Sequence, residues 1–502
     1  MIGWVWRWVR RVVLMLCIVL LTILGVRAVD AWRGPSLQPW HTFVPQEMSR
    51  AEMDKADLAA YRTAEDRLFA DVRRNVTDKL PARDRAGYDR YYARSPVYPG
   101  HFAQDFNRTF EVEPQGETMG AAVFLHGLTD SPYSLRHLAH LYTEHGFHAI
   151  AIRLPGHGTV PGGLTAAEFD DWRAATRLAM REARRIAGPD KPVHIIGYSN
   201  GGALALMHAL DAVDDPALVA PSKIVLLSPM VGITRFARFS GIAGWPAIFP
   251  AFAKSAWLNI LPEFNPFKYN SFPVNAARQS YLLTQALQGN IQRHLRAGRL
   301  AGLAPVLTFQ SVLDHTVSTR AVIDALHTHL TDNGSELVLF DINRNTQFEQ
   351  LLNARAETAV TRLLPPAPRP FRTAVVTNID PQSYKTEVRI TPAGNTQEEP
   401  QALELVYPRD VYSLSHVALP FPLDDGLYGL EPDLEENFGV RLGNIAARGE
   451  YGALVVNTDM LVRMSSNPFF SYVTERVRAG LPQNRADFGQ LGTQLQLAPA
   501  TP

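Results

Sequence analysis

The chain has 502 residues, enough for one large unit with additions or for two domains. Its 46% hydrophobic and 20% charged residues are those of a globular protein, which excludes the disordered, fibrous and disulfide-scaffold classes. Lys plus Arg and Asp plus Glu both number 49, so no net field recommends nucleic acid or an acidic polymer as a partner.

At the start, Arg7, Arg10 and Arg11 precede an uncharged, almost wholly apolar run from Val12 to Val26, closed by Arg27. This arrangement resembles an export signal. At 1.5 Å per residue the run is about 22 Å long, short of a roughly 30 Å hydrocarbon core unless Arg27 snorkels and Ala28 and Val29 are included. An uncleaved membrane anchor over residues 1–31 is favoured over a signal peptide cut after Val26-Arg27-Ala28. In either case the Arg cluster keeps the N-terminus cytoplasmic and sends the rest to the periplasmic or extracellular side. The single cysteine, Cys17, lies inside this run behind Leu16, where a lipoprotein anchor would want a small residue, and nothing is left to form a disulfide.

Residues 32–108 read as a charged, helix-prone, membrane-proximal leader. From 109 onward, short apolar runs alternate with helical periodicity, the pattern of a parallel sheet covered on both faces. Strands are expected at 109–113, 121–125, 148–153, 193–196, 224–227, 306–310 and 337–340. Ser131-Pro132 reads as the N-cap and first turn of a helix stopped by Gly146, and Thr165-Ala166-Ala167-Glu168 as a capping box for a helix running to about Ile186. The core is therefore placed at 109–228 and 304–360. Between these parts, residues 229–303 lack strand texture and are rich in aromatics, including Phe236, Phe239, Trp245, Phe249, Trp257 and Phe267, which predicts a helical cap walling a substrate pocket. Pro365 to Pro370 mark a linker, and strand-like runs at 373–377, 386–390 and 403–407 predict a β-containing insertion at 361–410. Residues 411–502 form a C-terminal segment with a loose tail from Gln483.

Gly197-Tyr198-Ser199-Asn200-Gly201 stands between an expected strand and the helix-prone GALALMHAL. A serine on such a sharp turn is held in strain at the sheet edge, with glycines letting strand and helix pack closely beneath it. Ser199 is the expected nucleophile; a chain of this length would show the pattern by chance only on the order of 0.1 times. A serine hydroxyl attacks carbonyls poorly unless a base takes its proton and donors hold the oxyanion. Phe124-Leu125-His126-Gly127-Leu128 ends a strand and leads to a capped helix, so the backbone N–H groups of Leu128 and Asn200 are the expected donors. His126 and His157 are expected to shape loops rather than transfer protons.

These three motifs, Phe124 to Thr129, Arg153-Leu154-Pro155-Gly156-His157-Gly158 and Gly197 to Gly201, resemble the α/β-hydrolase branch that contains monoacylglycerol lipases, carboxylesterases and serine-aminopeptidase-like members, over roughly residues 110–340. The resemblance implies an α/β fold, a doubly wound and mostly parallel sheet with a helical cap, and the triad order Ser, Asp, His. It implies no metal or organic cofactor. It places the acid after the 306–310 strand, where Asp314-His315-Thr316-Val317 is similar to the family's D-x-x-V and Asp314 is the expected acid. The family usually carries its histidine a few residues past the last strand, yet 341–350 (DINRNTQFEQ) contains none. Of the histidines after Asp314, His315 adjoins the acid and is poorly aimed, and His327 and His329 belong to the next helix. His416, entering a proline-bounded loop, remains as the expected base. His137, His140 and His145 come with no H-E-x-x-H and no carboxylate trio, so they are expected to be solvated helix positions and no metal site is expected.

The expectation is a membrane-associated, extracytoplasmic ester hydrolase acting on an acyl ester or lipid such as a monoacylglycerol or lysophospholipid. A serine aminopeptidase-like enzyme would hold the substrate's free amine with acidic cap residues, of which only Glu263 is seen. A non-catalytic binding protein on the same fold would have lost the triad.

Overall fold

Ala121, Val123 and Leu125 face one side of their strand and Ala122 and Phe124 the other, and the two sets belong to different buried clusters. A strand apolar on both faces requires cover on both, and that requirement sets the architecture. The computed structural model describes residues 2–80, 87–232, 250–314, 316–345, 359–409, 411, 413–443 and 466–482. The strands are β1 (Phe110–Val112), β2 (Gly120–Leu125), β3 (Phe147–Ile152), β4 (Val193–Tyr198), β5 (Lys223–Leu227), β6 (Trp257–Asn259), β7 (Phe272–Pro273), β8 (Val306–Ser311), β9 (Glu336–Phe340), β10 (Arg372–Asn378), β11 (Lys385–Thr391) and β12 (Glu399–Val406). Ten of them form one sheet in the order β1-β3-β2-β4-β5-β8-β9-β10-β11-β12, parallel from β3 to β10 and antiparallel at both ends. The strands read at 373–377, 386–390 and 403–407 thus continue the main sheet, because β10 pairs in parallel with β9.

Two helix starts differ from the sequence reading. The Thr165 hydroxyl donates to the Gly162 carbonyl at 2.7 Å and closes a 3₁₀ turn, so the next helix begins only at Phe169 and runs Phe169–Ala187, capped by Glu168 and Asp171. Pro132–Leu135 is likewise a 3₁₀ turn before the helix Arg136–Glu144, and Ser131 makes no side-chain cap. The helix Asn200–Asp214 follows β4 directly. Of the expected cap, residues 233–249 lie outside the described residues, with Phe236, Phe239, Trp245 and Phe249. The remainder holds a short antiparallel pair, β6 with β7, and the helix Val274–Arg296, which lies along Asn200–Asp214 and Phe169–Ala187.

The leader is built into the body. Its helix Leu58–Asn75 buries Leu58, Tyr61, Glu65, Leu68 and Val72, one stripe at three- and four-residue spacing. Glu47 and Glu65 both pair with the buried Arg153, at 2.8 Å each, and Gly156 N–H donates to Glu47 at 2.7 Å. Trp40 stacks on Tyr91, and His41 meets the ring of Trp257 edge-on and lies 2.9 Å from the Ser271 hydroxyl. Ahead of the leader is the helix Ile2–Arg33, whose Gly3–Val26 portion is long and apolar enough to cross a membrane and is not buried in the protein.

Candidate active site

Gly197 and Gly201 explain how Ser199 comes to stand where it does. A methyl group on Gly197 would collide with the Gly201 carbonyl, and one on Gly201 with the Leu125 carbonyl, so the β4-to-helix turn closes only with glycine at both places. Ser199 itself takes φ 54° and ψ −113°, a conformation an L-residue adopts only under constraint. The constraint is visible: Ser199 N–H donates to Leu227 O at 3.0 Å, and Ser199 O accepts from Met230 N–H at 2.9 Å. Asn200 is the first residue of the following helix, where a backbone N–H has no acceptor within the helix.

The loop after β2 carries Leu128. His126 shapes it: Nε2 accepts from Leu154 N–H at 3.0 Å, which puts the ring proton on Nδ1 and lets it donate to Gly127 O at 2.9 Å. Burial, and then the neighbouring His157, push His126 well below the ordinary histidine range, so it stays neutral. His157 packs edge-on to His126 and Trp172. Both histidines hold loops, as expected from the sequence. Asp130 completes the turn, accepting from Gly127 N–H at 3.3 Å and from the Ser134 hydroxyl.

Asp314 follows β8. Its Oδ1 accepts from Thr316 and Val317 N–H at 2.8 and 3.0 Å, and its Oδ2 accepts from Gln310 Nε2 at 3.1 Å and lies 2.8 Å from His416 Nδ1. Burial alone would raise this carboxyl, but the imidazole of His416 and the hydrogen bonds hold it below the ordinary carboxylate range. His416 arrives 102 residues later, its ring tilted at 5.3 Å over that of Tyr198, whose hydroxyl donates to His416 O at 3.3 Å. Ser311 Oγ donates to Leu414 O at 2.9 Å and fixes the same segment to the end of β8. Asp314 and His416 are thus in direct contact, and His416 packs on the residue preceding Ser199. Neither the Ser199 hydroxyl nor His416 Nε2 has a hydrogen-bond partner among the described residues. His327 bonds Thr308 and packs at a tilt against Phe371 instead, and His315 lies outside the described residues.

Two features escaped the sequence reading. Gln310, wholly buried, braces both Asp314 and Thr319. Asp425, also buried, accepts from Tyr133 Oη at 2.9 Å, from the Arg136 guanidinium and from Leu427 and Tyr428 N–H at 3.0 and 2.7 Å, while Arg136 also meets Glu436. His137 Nε2 lies 2.9 Å from the same carboxylate, which corrects the expectation of a solvated position there: the helix turns His137 toward a buried charge. His140 is exposed, and no group of three metal-ligating side chains exists among the described residues.

Residues 122–377 match the model of the alpha/beta hydrolase family. The chain belongs to that family. A thermostable monoacylglycerol lipase from Bacillus sp. (strain H-257) is 31% identical over 110 residues, 20% of this chain and 43% of the relative, so the match spans less than half of that protein's length. Among solved structures, a metagenome-derived lipolytic enzyme from a study of LipS and LipT aligns at 20% identity over 51% of this chain and 97% of its own, with TM-score 0.36. The monoacylglycerol lipase of Paleococcus ferrophilus aligns at 16% identity over 51% and 99%, with TM-score 0.34. The hydrolase fold expected from the three motifs is borne out by the family match and by the sheet order.

Proposed function

We propose that this family member is a serine hydrolase of carboxylic esters, acting through Ser199, His416 and Asp314. The observation that carries the reading is the 2.8 Å pair between His416 Nδ1 and Asp314, drawn together from 102 residues apart beside a strained serine. Nδ1 is committed to the carboxylate, so Nε2 is left to take the Ser199 proton as the hydroxyl attacks the acyl carbonyl. The N–H groups of Leu128 and Asn200 hold the developing oxyanion. The same imidazole then protonates the departing alcohol, and water, activated by it, releases the acid. No metal or organic cofactor enters these steps.

The substrate is an acyl ester of lipid type, in keeping with the monoacylglycerol lipase likeness. The helix over Gly3–Val26 serves as a membrane anchor with the catalytic body extracytoplasmic, the Arg cluster holding the N-terminus inside. The peptidase reading loses its one acidic cap residue: Glu263 is buried and its carboxylate accepts from Asn270 and Ser271 N–H at 2.9 and 2.8 Å. Turnover of short and long p-nitrophenyl acyl esters, with an aminoacyl anilide and a fluorophosphonate label alongside, tests the assignment. Ester turnover and labelling that vanish in Ser199→Ala and His416→Ala are expected; ester turnover surviving either variant sinks it, and anilide preference moves it to a peptidase.

A further inference from the structure

The cap segment 265–269 is strapped to the loop carrying Leu128. Asn265 Oδ1 accepts from Phe267 and Lys268 N–H at 3.0 and 3.1 Å, and Asn265 Nδ2 donates to Tyr428 Oη at 2.7 Å. Phe267 stacks on Tyr133 with centroids 4.3 Å apart, and Tyr269 N–H donates to Thr129 O at 2.7 Å. The polar side chains of Asn265 and Tyr269 have hydrogen-bond partners, whereas Lys268 is partly buried and its ammonium has neither a hydrogen bond nor an ion pair among the described residues. The charge that acts on it is that of Asp130, which is beyond ion-pair reach and already accepts Gly127 N–H and the Ser134 hydroxyl. Burial pushes the ammonium below the ordinary lysine range, against the pull of Asp130.

A partly buried ammonium without a protein partner is left to water, and an anion that reaches it gains a charge-assisted hydrogen bond. Here the loop beside it is the one expected to hold the reacting carbonyl, and the carbonyl contact between Tyr269 and Thr129 puts Lys268 one residue from that loop. We propose that Lys268 is a specificity-determining residue whose ammonium binds an anionic group, phosphate or carboxylate, carried by the ester substrate. An ammonium is a compact charge with three donors and suits a phosphate oxygen as well as a carboxylate. The preferred substrates are then anionic acyl esters rather than neutral glycerides. The inference rests on Ser199 being the nucleophile.

The test uses the purified full chain in neutral detergent with three esters of one acyl length: a monoacylglycerol, the corresponding acylglycerol phosphate, and an alkyl monoester of a dicarboxylic acid. The wild type should favour one anionic ester, and which one separates the phosphate from the carboxylate source. In Lys268→Met the ratio of kcat/KM for that ester over the neutral one should fall on the order of 10- to 100-fold, through KM, and Lys268→Arg should restore most of it. A wild type that prefers the neutral glyceride overturns the proposal, as does an equal loss on all three esters in Lys268→Met. Should Lys268→Met not fold, the wild-type ranking and its weakening by salt decide, since a preference made by this cation must decline as ionic strength rises. Absence of all ester turnover, with no label at Ser199, is a different result and counts against the parent reading.

Discussion

Asp425 fastens the segment bearing His416 to the helix that follows the Leu128 loop, and its replacement by Asn puts that function to a quantitative test. The Arg136 side chain is 2% exposed and pairs with Asp425, 0% exposed, and with Glu436, 37% exposed. Burial would raise the Asp425 carboxyl, but Arg136 and His137 hold it well below the usual range, so the pair is ionised. Breaking a buried pair by neutralising one partner costs about 3–5 kcal/mol, because the other charge is left behind. Glu436 remains as a more exposed counter-charge, which favours the lower end, about 3 kcal/mol. At about 2–4 °C per kcal/mol the melting midpoint should drop by roughly 6–12 °C. Ester turnover should fall in kcat, with KM less affected, because His416 is aligned through this segment. The double variant Arg136→Met/Asp425→Asn removes both charges of the pair while the Asn Oδ1 still accepts from Tyr133 and from the Leu427 and Tyr428 N–H groups, and it should recover part of the midpoint without recovering kcat. Thermal melts and p-nitrophenyl ester kinetics on the same preparations measure both. A midpoint for Asp425→Asn within about 1 °C of wild type would refute the energetic reasoning, and full kcat in the double variant would refute the alignment.

Asp314→Asn should leave the fold intact and lower kcat by about 10⁴, the loss expected when the imidazole is held in the wrong tautomer; near-normal ester turnover would remove Asp314 from the triad. Gly201→Ala should give little soluble protein or none with Ser199 reactivity, since the added methyl meets the Leu125 carbonyl; a fluorophosphonate label at wild-type rate would show that the turn can relax. Burial pushes the Glu263 carboxyl up from 4.5 to about 7. The folded pKa is the higher one, so this group's contribution to stability is fully present below the unfolded value and is lost as pH rises through about 7. The melting midpoint should therefore decline between about pH 5 and 8, with a total effect of roughly 3 kcal/mol, and Glu263→Gln should flatten the decline. An unchanged profile in that variant would assign the pH dependence elsewhere.

The sheet was legible because its strands carry apolar runs on both faces, and the turn at Ser199 because two glycines and a serine at fixed spacing leave few alternatives. Asp314 was readable from its place after β8. His416 was reached only by elimination, and the reason is topological: three more strands, β10 to β12, intervene between the usual position and the histidine. No local signal marks a residue whose partner is 102 positions away. The Arg136–Asp425 pair, separated by 289 residues, was hidden in the same way, and His137 looked like a surface residue because its helix is otherwise amphipathic and polar at that place. The two displaced helix starts have a different cause. Ser131 and Thr165 have the right chemistry for caps, but prolines at 132 and 161 set up 3₁₀ turns first.

The pairing of Arg153 with Glu47 and Glu65 bears on where this chain can be cut. Excision at residue 122, where the family match begins, would discard both carboxylates and strand a guanidinium that is 1% exposed beside the Gly156 turn. Such a fragment would bear an unanswered interior charge and two unfilled acceptor positions around it. A fragment that keeps Arg153 answered on both sides therefore has to extend upstream at least through Glu47.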